Sequence, residues 1–157
     1  MKVRIAKSKD IHSLSKFYKD IISSNPYYSK QAINKESKRF SIPNLTKEFR
    51  DKDNLYIITQ EGNDIIGARN GYYEAGMFWC DWCVVHPLCR RKGVSKALMT
   101  FLENKLKKEG LHKIWCDSRT NNKESKIALK RMGFNRITTI KNHWYGQDFI
   151  LWQKLLR

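Results

Sequence analysis

The sequence predicts an α/β chain of the α+β type, and three observations support this fold class. Segments with the alternating or continuously apolar pattern of strands occur about seven times along the chain. Other segments repeat apolar residues at intervals of three and four, as amphipathic helices do. The length of 157 residues suffices for one hydrophobic core and no linker or repeat divides it, so a single domain over residues 1–157 is expected.

The first part of the chain predicts a strand and a helix. Residues 2–6 alternate polar and apolar side chains, which is typical of a half-exposed strand. Apolar residues then recur at intervals of three and four over residues 11–22, which predicts an amphipathic helix. Prolines interrupt any long periodicity in residues 23–51, so only one or two short helices are expected there.

Three strands are predicted next, over residues 55–60, 64–73 and 77–85. Gly62-Asn63 and Ala75-Gly76 separate them, and turns this short join antiparallel neighbours. We therefore expect three consecutive antiparallel strands in the middle of the chain.

The second half contains the clearest helix of the sequence, which Gly110 ends. Its apolar stripe consists of Val94, Ala97, Leu98, Phe101, Leu102 and Leu106. Beyond it, residues 114–118 predict a strand and 122–132 another helix, and 135–141 and 148–155 predict the last two strands.

The net charge of +16, from 31 Lys and Arg against 15 Asp and Glu, bears on the class of partner. Such a charge attracts anions, among them nucleic acid, acidic proteins and phosphorylated cofactors. The basic residues are scattered along the chain, so a Lys-rich solvated surface is an equally good explanation. Charge alone therefore does not choose a partner.

Neither a membrane segment nor a signal peptide is predicted. The sequence has no apolar run near the roughly 18 residues that span a membrane, and residues 1–5 lack the apolar core of a signal peptide. We expect a cytoplasmic protein without a membrane partner.

The cysteines raise the question of a metal site, because Cys80, Cys83, His86 and Cys89 recur at intervals of three. An odd separation on a strand places Cys80 and Cys83 on opposite faces, which prevents them from sharing one tetrahedral ion. We therefore predict no metal. Cys116 completes a set of four cysteines without a disulfide pattern, so reduced thiols are expected.

The segment after the strand that ends at Val85 predicts an anion site. It runs through the basic loop Arg90-Arg91-Lys92-Gly93 into the clear helix, and the first backbone amides of a helix are free to bind an anion. Gly93 permits a close approach of the backbone, as a bulky phosphate requires. The spacing matches neither a phosphate-binding loop nor a dinucleotide fingerprint, so a pyrophosphate of another kind is favoured.

The sequence resembles the GNAT superfamily of acetyl-CoA-dependent N-acetyltransferases, over roughly residues 77–156. Three motifs carry the likeness: Val84-Val85-His86-Pro87 at a strand end, Arg90-x-x-Gly93-x-Ser95 at a helix start, and Asn122-x-x-Ser125 in a helix that ends in Gly133-Phe134. Ser95 replaces the family's Gly or Ala, and Ser125 its Ala. The resemblance implies a mixed, mostly antiparallel sheet of about seven strands flanked by about four helices.

The resemblance also implies an activity, namely transfer of an acetyl group from the co-substrate acetyl-CoA to a primary amine in a direct ternary complex. The amine could belong to a peptide amino terminus, a lysine or a small molecule, and a basic protein favours an acceptor with negative charge nearby. The implied cofactor-binding residues are Val84, Val85, Arg90, Arg91, Lys92, Gly93, Val94, Ser95, Asn122 and Ser125. Asn122 is equally well suited to cap its helix.

Catalysis requires a base for the ammonium and an acid for the departing thiolate. Asp81 is the best-placed carboxylate, with Glu74 as an alternative. The family's tyrosine acid corresponds here to Leu129, so we expect Tyr145 to supply the proton instead, unless it only packs on the sheet.

Two other functions stay open: a non-catalytic basic module that binds nucleic acid, and a degenerate acetyl-CoA-binding sensor. The charge supports the first, although the sequence has no zinc-finger spacing or RNA-binding signature, and Leu129 is consistent with the second. The oligomeric state is not predicted, and a homodimer is one option.

Overall fold

The computed structural model describes residues 1–156, in which seven strands and five helices follow one another in the predicted order. The strands are β1 (Lys2–Ile5), β2 (Asn54–Glu61), β3 (Asp64–Glu74), β4 (Met77–Val85), β5 (Lys113–Arg119), β6 (Asn135–Ile140) and β7 (Phe149–Leu155). The helices are α1 (Ile11–Ser23), α2 (Lys30–Arg39), α3 (Ile42–Glu48), α4 (Val94–Lys108) and α5 (Lys123–Arg131).

The segment 23–51 forms two helices, α2 and α3, where the sequence predicted one or two. Ser29 caps α2 by accepting a hydrogen bond from the amide of Ala32 at 3.2 Å. Pro43 lies in the first turn of α3, where its missing N–H would have no intrahelical partner. None of the helices in residues 1–156 is both long and apolar enough to cross a membrane.

All seven strands form one sheet in the order β1-β2-β3-β4-β5-β7-β6. Neighbours are antiparallel except β4 and β5, which run parallel. The mixed, mostly antiparallel sheet that the sequence predicted is therefore confirmed, with β4 and β5 at its centre.

The central strands β4 and β5 pair over only part of their length. Their register joins Met77–Cys80 to Lys113–Cys116 and records no pairs beyond. From that point β4 stays with β3 as far as Val85, and β5 stays with β7. The two strands thus leave a gap between 81–85 and 117–119, called here the β4–β5 cleft.

A bulge begins where the cleft begins. Gly71 on β3 pairs with Cys80 and Asn70 pairs with Trp82, so Asp81 is an extra residue on β4. The extra residue shifts the alternation of the β4 side chains by one. Cys80 lies in the core beneath α4, and the sulfur of Cys83 lies 3.4 Å from the hydroxyl oxygen of Ser95 on α4. The prediction that Cys80 and Cys83 occupy opposite faces is therefore wrong.

The sheet carries a separate core on each face. One core packs α4 and α5 against residues such as Phe78, Cys80 and Cys116. The other packs α1 and the ends of α2 and α3 against residues such as Tyr56 and Val84. We call the two sides the α4 face and the α1 face.

Gly67 on β3 lets α4 approach the sheet closely. A Cβ atom at Gly67 would lie 2.5 Å from Cγ1 of Val94 and 3.2 Å from Cδ1 of Leu98. The first turn of α4 is thereby fixed against β3, next to the end of β4.

Candidate active site

The loop 90–95 between β4 and α4, called here the anion cradle, has the features of an anion site. Gly93 adopts the left-handed conformation with φ +82°, and nothing lies within 4 Å of the place where its Cβ would be. The backbone amides of Gly93, Val94 and Ser95 donate no hydrogen bond to any other group in residues 1–156. These free amides point outward at the positive end of the α4 dipole, which suits a phosphate.

The side chains of the anion cradle add positive charge. Arg90, Arg91 and Lys92 are exposed, and none of them forms an ion pair within the described residues. Val94 is buried and anchors the helix start against Gly67, so it offers only its backbone amide. The predicted cofactor residues Arg90, Arg91, Lys92 and Gly93 therefore form one open, basic surface.

Val84 and Val85 form the β4 wall of the cleft. Their side chains pack on opposite faces, Val84 in the α1-face core and Val85 against the α4-face core. Their pairing partners lie on β3, so the edge of β4 that looks toward β5 has no strand partner. Backbone groups on that edge are free to hydrogen-bond an extended ligand arm.

Asn122 and Ser125 lie at the start of α5, which follows β5 on the other wall of the cleft. The side-chain oxygen of Asn122 accepts a hydrogen bond from the amide of Ser125 at 3.0 Å. Asn122 is thus the cap of α5, which was one of its two expected roles.

Two carboxylates flank the origin of the cleft on the α1 face. Asp81 is the bulged residue of β4, and it forms an ion pair with Arg39 at the end of α2. Burial raises the pKa of Asp81, and Arg39 opposes that rise. Arg39 also lies 3.5 Å from a carboxylate oxygen of Glu48 and 3.8 Å from one of Glu36. Asp81 therefore belongs to a network of charges that holds it in place.

The second carboxylate, Asp117 on β5, was not predicted. It directly follows Cys116, the last β5 residue paired with β4, and it accepts a hydrogen bond from the indole N–H of Trp144 at 2.8 Å. It forms no ion pair within residues 1–156, and burial raises its pKa. The sequence did contain a signal for Asp117. Ile114, Cys116 and Ser118 alternate along β5 and are buried on one face, so Asp117 between them must lie on the opposite face.

The other two predicted catalytic residues lie in different surroundings. Tyr145, in the loop between β6 and β7, donates a hydrogen bond from its hydroxyl to Glu36 on α2, and burial raises its pKa to about 12. Glu74 is exposed at the end of β3, paired with Met77 at the far end of β4. About 13 Å of strand separates Met77 from Asp81, so the fold does not bring Glu74 to the cleft.

Comparison with known proteins decides the family. The sequence profile of the Acetyltransferase (GNAT) family matches residues 15–134. The chain belongs to the GNAT acetyltransferase family. Solved GNAT structures share its fold over nearly the whole chain: a PaiA N-acetyltransferase from Thermoplasma acidophilum in complex with coenzyme A has a TM-score of 0.82 at 17% identity, covering 99% of both chains.

Curated relatives match a shorter stretch. The [ribosomal protein bS18]-alanine N-acetyltransferase of Haemophilus ducreyi is 33% identical over 64 residues, which are 41% of this chain and 44% of that protein. The match thus spans less than half the length of the relative. The ribosomal-protein-S18-alanine N-acetyltransferase structure from Escherichia coli has a TM-score of 0.77 at 15% identity, covering 99% of this chain and 93% of that one.

The α1 face of this GNAT chain carries a cluster of four acidic side chains in a protein of net charge +16. Glu36, Glu48, Asp81 and Asp117 gather around the origin of the cleft. Arg39 and Arg119 lie among these carboxylates, and Cζ of Arg119 lies 4.2 Å from the ring centroid of Tyr28. Lys35, Lys38 and Lys47 line the same pocket as Arg39 and Glu48. Acidic and basic side chains therefore lie together on this face, and Asp117 is the carboxylate among them without an ion-pair partner in residues 1–156.

Aromatic side chains line the same face of the GNAT domain. Tyr28 contacts Trp82 edge-on with ring centroids 5.5 Å apart, and Trp144 is 52% exposed. Phe17 and Tyr18 are buried in the α1-face core. These two rings therefore add nothing to the exposed aromatic surface of this face.

No three metal-ligating side chains lie together anywhere in the described part of the chain. Cys80 instead accepts a hydrogen bond from Arg69, and Cys83 contacts Ser95. The interval of three between these two cysteines therefore lies within β4, where each sulfur has a partner other than a metal.

Proposed function

We propose that this GNAT protein transfers an acetyl group from acetyl-CoA to a primary amine in a direct ternary complex. The observation that carries the proposal is the β4–β5 cleft, which has a basic anion cradle beside one end and two carboxylates at the other. The cradle lies where α4 begins, whereas both carboxylates turn to the α1 face. Donor and acceptor can therefore bind together from opposite faces of the sheet.

The free amides of Gly93, Val94 and Ser95 are suited to the pyrophosphate of the donor, and Arg90, Arg91 and Lys92 to its long-range attraction. Asn122 and Ser125 follow β5, the strand that forms the opposite wall, and are suited to contact the arm of the donor. The open space at Gly93 supports this fit, since a side chain there would occupy the approach path. Bound acetyl-CoA supplies the activated acetyl thioester.

We assign the general base to Asp117 in preference to Asp81. A base must be free to take up a proton, and Asp81 is held by Arg39 whereas Asp117 has only the neutral Trp144 as partner. Burial raises the pKa of Asp117 toward that of a useful base. Asp81, which the sequence favoured, then positions α2 against the bulge, and Glu74 has no role in the reaction.

Tyr145 is suited to hold the acceptor. Its pKa of about 12 keeps its hydroxyl protonated at neutral pH, and its bond to Glu36 places it on the acceptor side of the sheet. We therefore propose that Tyr145 hydrogen-bonds the acceptor. The departing thiolate lies on the other face of the sheet, so Tyr145 does not protonate it.

The acceptor class that fits best is a peptide amino terminus. The carboxylates of the α1 face attract its ammonium, and Trp144 offers an exposed aromatic surface for the residues behind it. The curated relatives, named for the alanine of ribosomal protein bS18, support a protein acceptor of this kind. An acceptor of that kind is found in the cytoplasm, where the protein is expected.

A screen of thiol release tests the proposal. Acetyl-CoA is offered with peptides that begin with a free alanine, lysine peptides, polyamines and small amines, and an N-acetylated copy of the best peptide is the control. Release with the free peptide alone supports the proposal. Binding of coenzyme A without release on any amine would indicate a sensor, and binding of DNA or RNA alone a nucleic-acid module.

A further inference from the structure

Arg69 on β3 carries a buried positive charge that forms no ion pair within residues 1–156. The residue is only 3% exposed, and one guanidinium nitrogen donates a hydrogen bond to the sulfur of Cys80 at 2.7 Å. Its Nε is buried without any partner in the described chain. Because a buried charge without a counter-charge is destabilising, its presence calls for an explanation other than packing.

The guanidinium lies at the closed end of the β4–β5 cleft, on the α4 face. Arg69 is two residues beyond Gly67, whose missing side chain faces α4, and it pairs with Cys83 across the sheet. From there its side chain reaches Cys80, the last residue of β4 that pairs with β5. The positive charge therefore lies where the two strands separate.

The titratable groups around Arg69 are thiols. Cys80 and Cys83 face it from β4, and Cys116 faces it from β5. The helices contribute aliphatic groups to this side of the sheet, among them Leu98 from α4 and Leu129 from α5. Neither an ordinary carboxylate nor a phenol of the described residues is therefore present to neutralise the guanidinium.

The distance from the anion cradle to Arg69 matches the donor that the proposed function requires. Five residues of strand separate Val85, beside the cradle, from Cys80, which corresponds to about 16 Å. An extended pantetheine arm has about this length. With the pyrophosphate in the cradle and the arm along the free edge of β4, the sulfur of coenzyme A reaches the end of the cleft that Arg69 occupies.

We infer that Arg69 stabilises the thiolate of coenzyme A as it leaves, an inference that rests on the proposed acetyl transfer. The amine nitrogen forms a bond to the acetyl carbon, the carbon–sulfur bond breaks, and its electron pair goes to sulfur. Asp117 accepts the proton that the amine loses, and the thiolate takes a proton from water when it departs. The guanidinium of Arg69 does not lose a proton at any pH of interest, so Arg69 acts by its positive charge and does not donate a proton to the thiolate.

The experiment compares the binding of coenzyme A with that of its sulfur-free analogue, dethia-coenzyme A, by calorimetry from pH 7 to pH 9. For the native chain, the ratio of the affinity for coenzyme A to the affinity for the analogue should increase at least tenfold from pH 7 to pH 9, because the bound thiol ionises beside Arg69. Any pH effect that arises from the protein itself is common to both ligands. An Arg69→Met variant should lose this difference, and its kcat should fall by about 10²-fold, as for removal of one oxyanion donor.

Arg136→Met is the matched control, since Arg136 is exposed on β6 and its loss changes the net charge equally. Thermal unfolding shows that each variant folds, and if Arg69→Met does not, Arg69→Lys should keep part of the difference. Equal pH dependence of the two ligands in the native chain overturns the role of Arg69 while leaving acetyl transfer intact. Failure to bind coenzyme A at all overturns the proposed function as well.

Discussion

Asp117 and Asp81 flank the point where β4 and β5 separate, yet only Asp81 has an ion-pair partner in the described chain. The two residues follow Cys80 and Cys116, which are paired across the parallel strands. Arg39 neutralises Asp81, while Asp117 accepts a hydrogen bond from the neutral indole of Trp144. This difference is the reason for proposing Asp117 as the base and Asp81 as a positioning residue, and it leads to the first two predictions.

Asp117→Asn should lower kcat by about 10²- to 10⁴-fold, because it removes the proposed general base while keeping a side chain of nearly the same shape. Burial raises the pKa of Asp117, so kcat/KM of the native chain should rise as pH increases through that raised value. The variant should lack this dependence. Asp20→Asn, an exposed acid on α1, is the control. A native-like pH profile in Asp117→Asn would exclude Asp117 as the base.

The same Asp117→Asn variant should be as stable as the native chain or more stable. A folded-state pKa raised above 3.8 means that the native state disfavours the carboxylate, so ionisation of Asp117 weakens stability as pH rises through that range. At pH 7 the neutral amide avoids this effect, and Tm should rise by up to about 2–4 °C. The difference should disappear below pH 3.8, where the carboxyl group is protonated in both states. Melting curves at pH 3 and pH 7 make the comparison.

The pH dependence of stability that Asp10 contributes should have the opposite sign to that of Asp117. Arg4 donates two hydrogen bonds to its carboxylate, at 2.7 and 2.8 Å, and lowers its pKa below 3.8. The stabilisation is therefore complete above that ordinary value and is lost as pH falls through the lower folded-state value. Asp10→Asn should lose about 1–2 kcal/mol at pH 7 and little at pH 2. Denaturant unfolding at both pH values measures it, and an equal loss at both would contradict the ion-pair explanation.

Gly93→Ala should weaken the binding of coenzyme A by at least tenfold, because a methyl group would project into the open approach of the anion cradle and the left-handed backbone would be strained. Gly62→Ala is a close control, since Gly62 has φ +60° and equally open surroundings in the turn between β2 and β3. Both variants should lose about 1 kcal/mol of stability, whereas only Gly93→Ala should change the affinity. Calorimetry and thermal unfolding separate the two effects.

Tyr145→Phe removes the hydroxyl that bonds to Glu36. If Tyr145 holds the acceptor, KM for the peptide should rise by several-fold while kcat and its alkaline pH limb stay close to native. A large fall in kcat, with loss of the alkaline limb, would instead restore Tyr145 as the general acid that the sequence suggested. Steady-state rates between pH 6 and pH 10 distinguish the two roles.

Much of the fold was predictable because local patterns determined it. The stripe from Val94 to Leu106 placed α4, and the basic loop ending in Gly93 placed the anion cradle at its start. The strands around Gly62 and Gly76 follow from turn residues that require positive φ. In each case the residues that decide the structure are close in the sequence.

The carboxylates and the guanidinium of the site were less predictable, because they depend on register and long-range contacts. One extra residue, Asp81, reverses the alternation of β4 and brings Cys80 and Cys83 to the same face. The bond between Tyr145 and Glu36 joins residues 109 positions apart. No pattern within a short window of sequence contains either fact.

The gap between β4 and β5 also bears on the size of the substrates. Because the anion cradle lies at the start of α4 and both carboxylates turn to the α1 face, the two reactants of the proposed reaction would enter from different sides. A long polypeptide can present its first residue to Asp117 while the remainder of its chain stays outside the domain. If the proposed acceptor class is correct, its length is not limited by the fold, and selection rests on its first few residues.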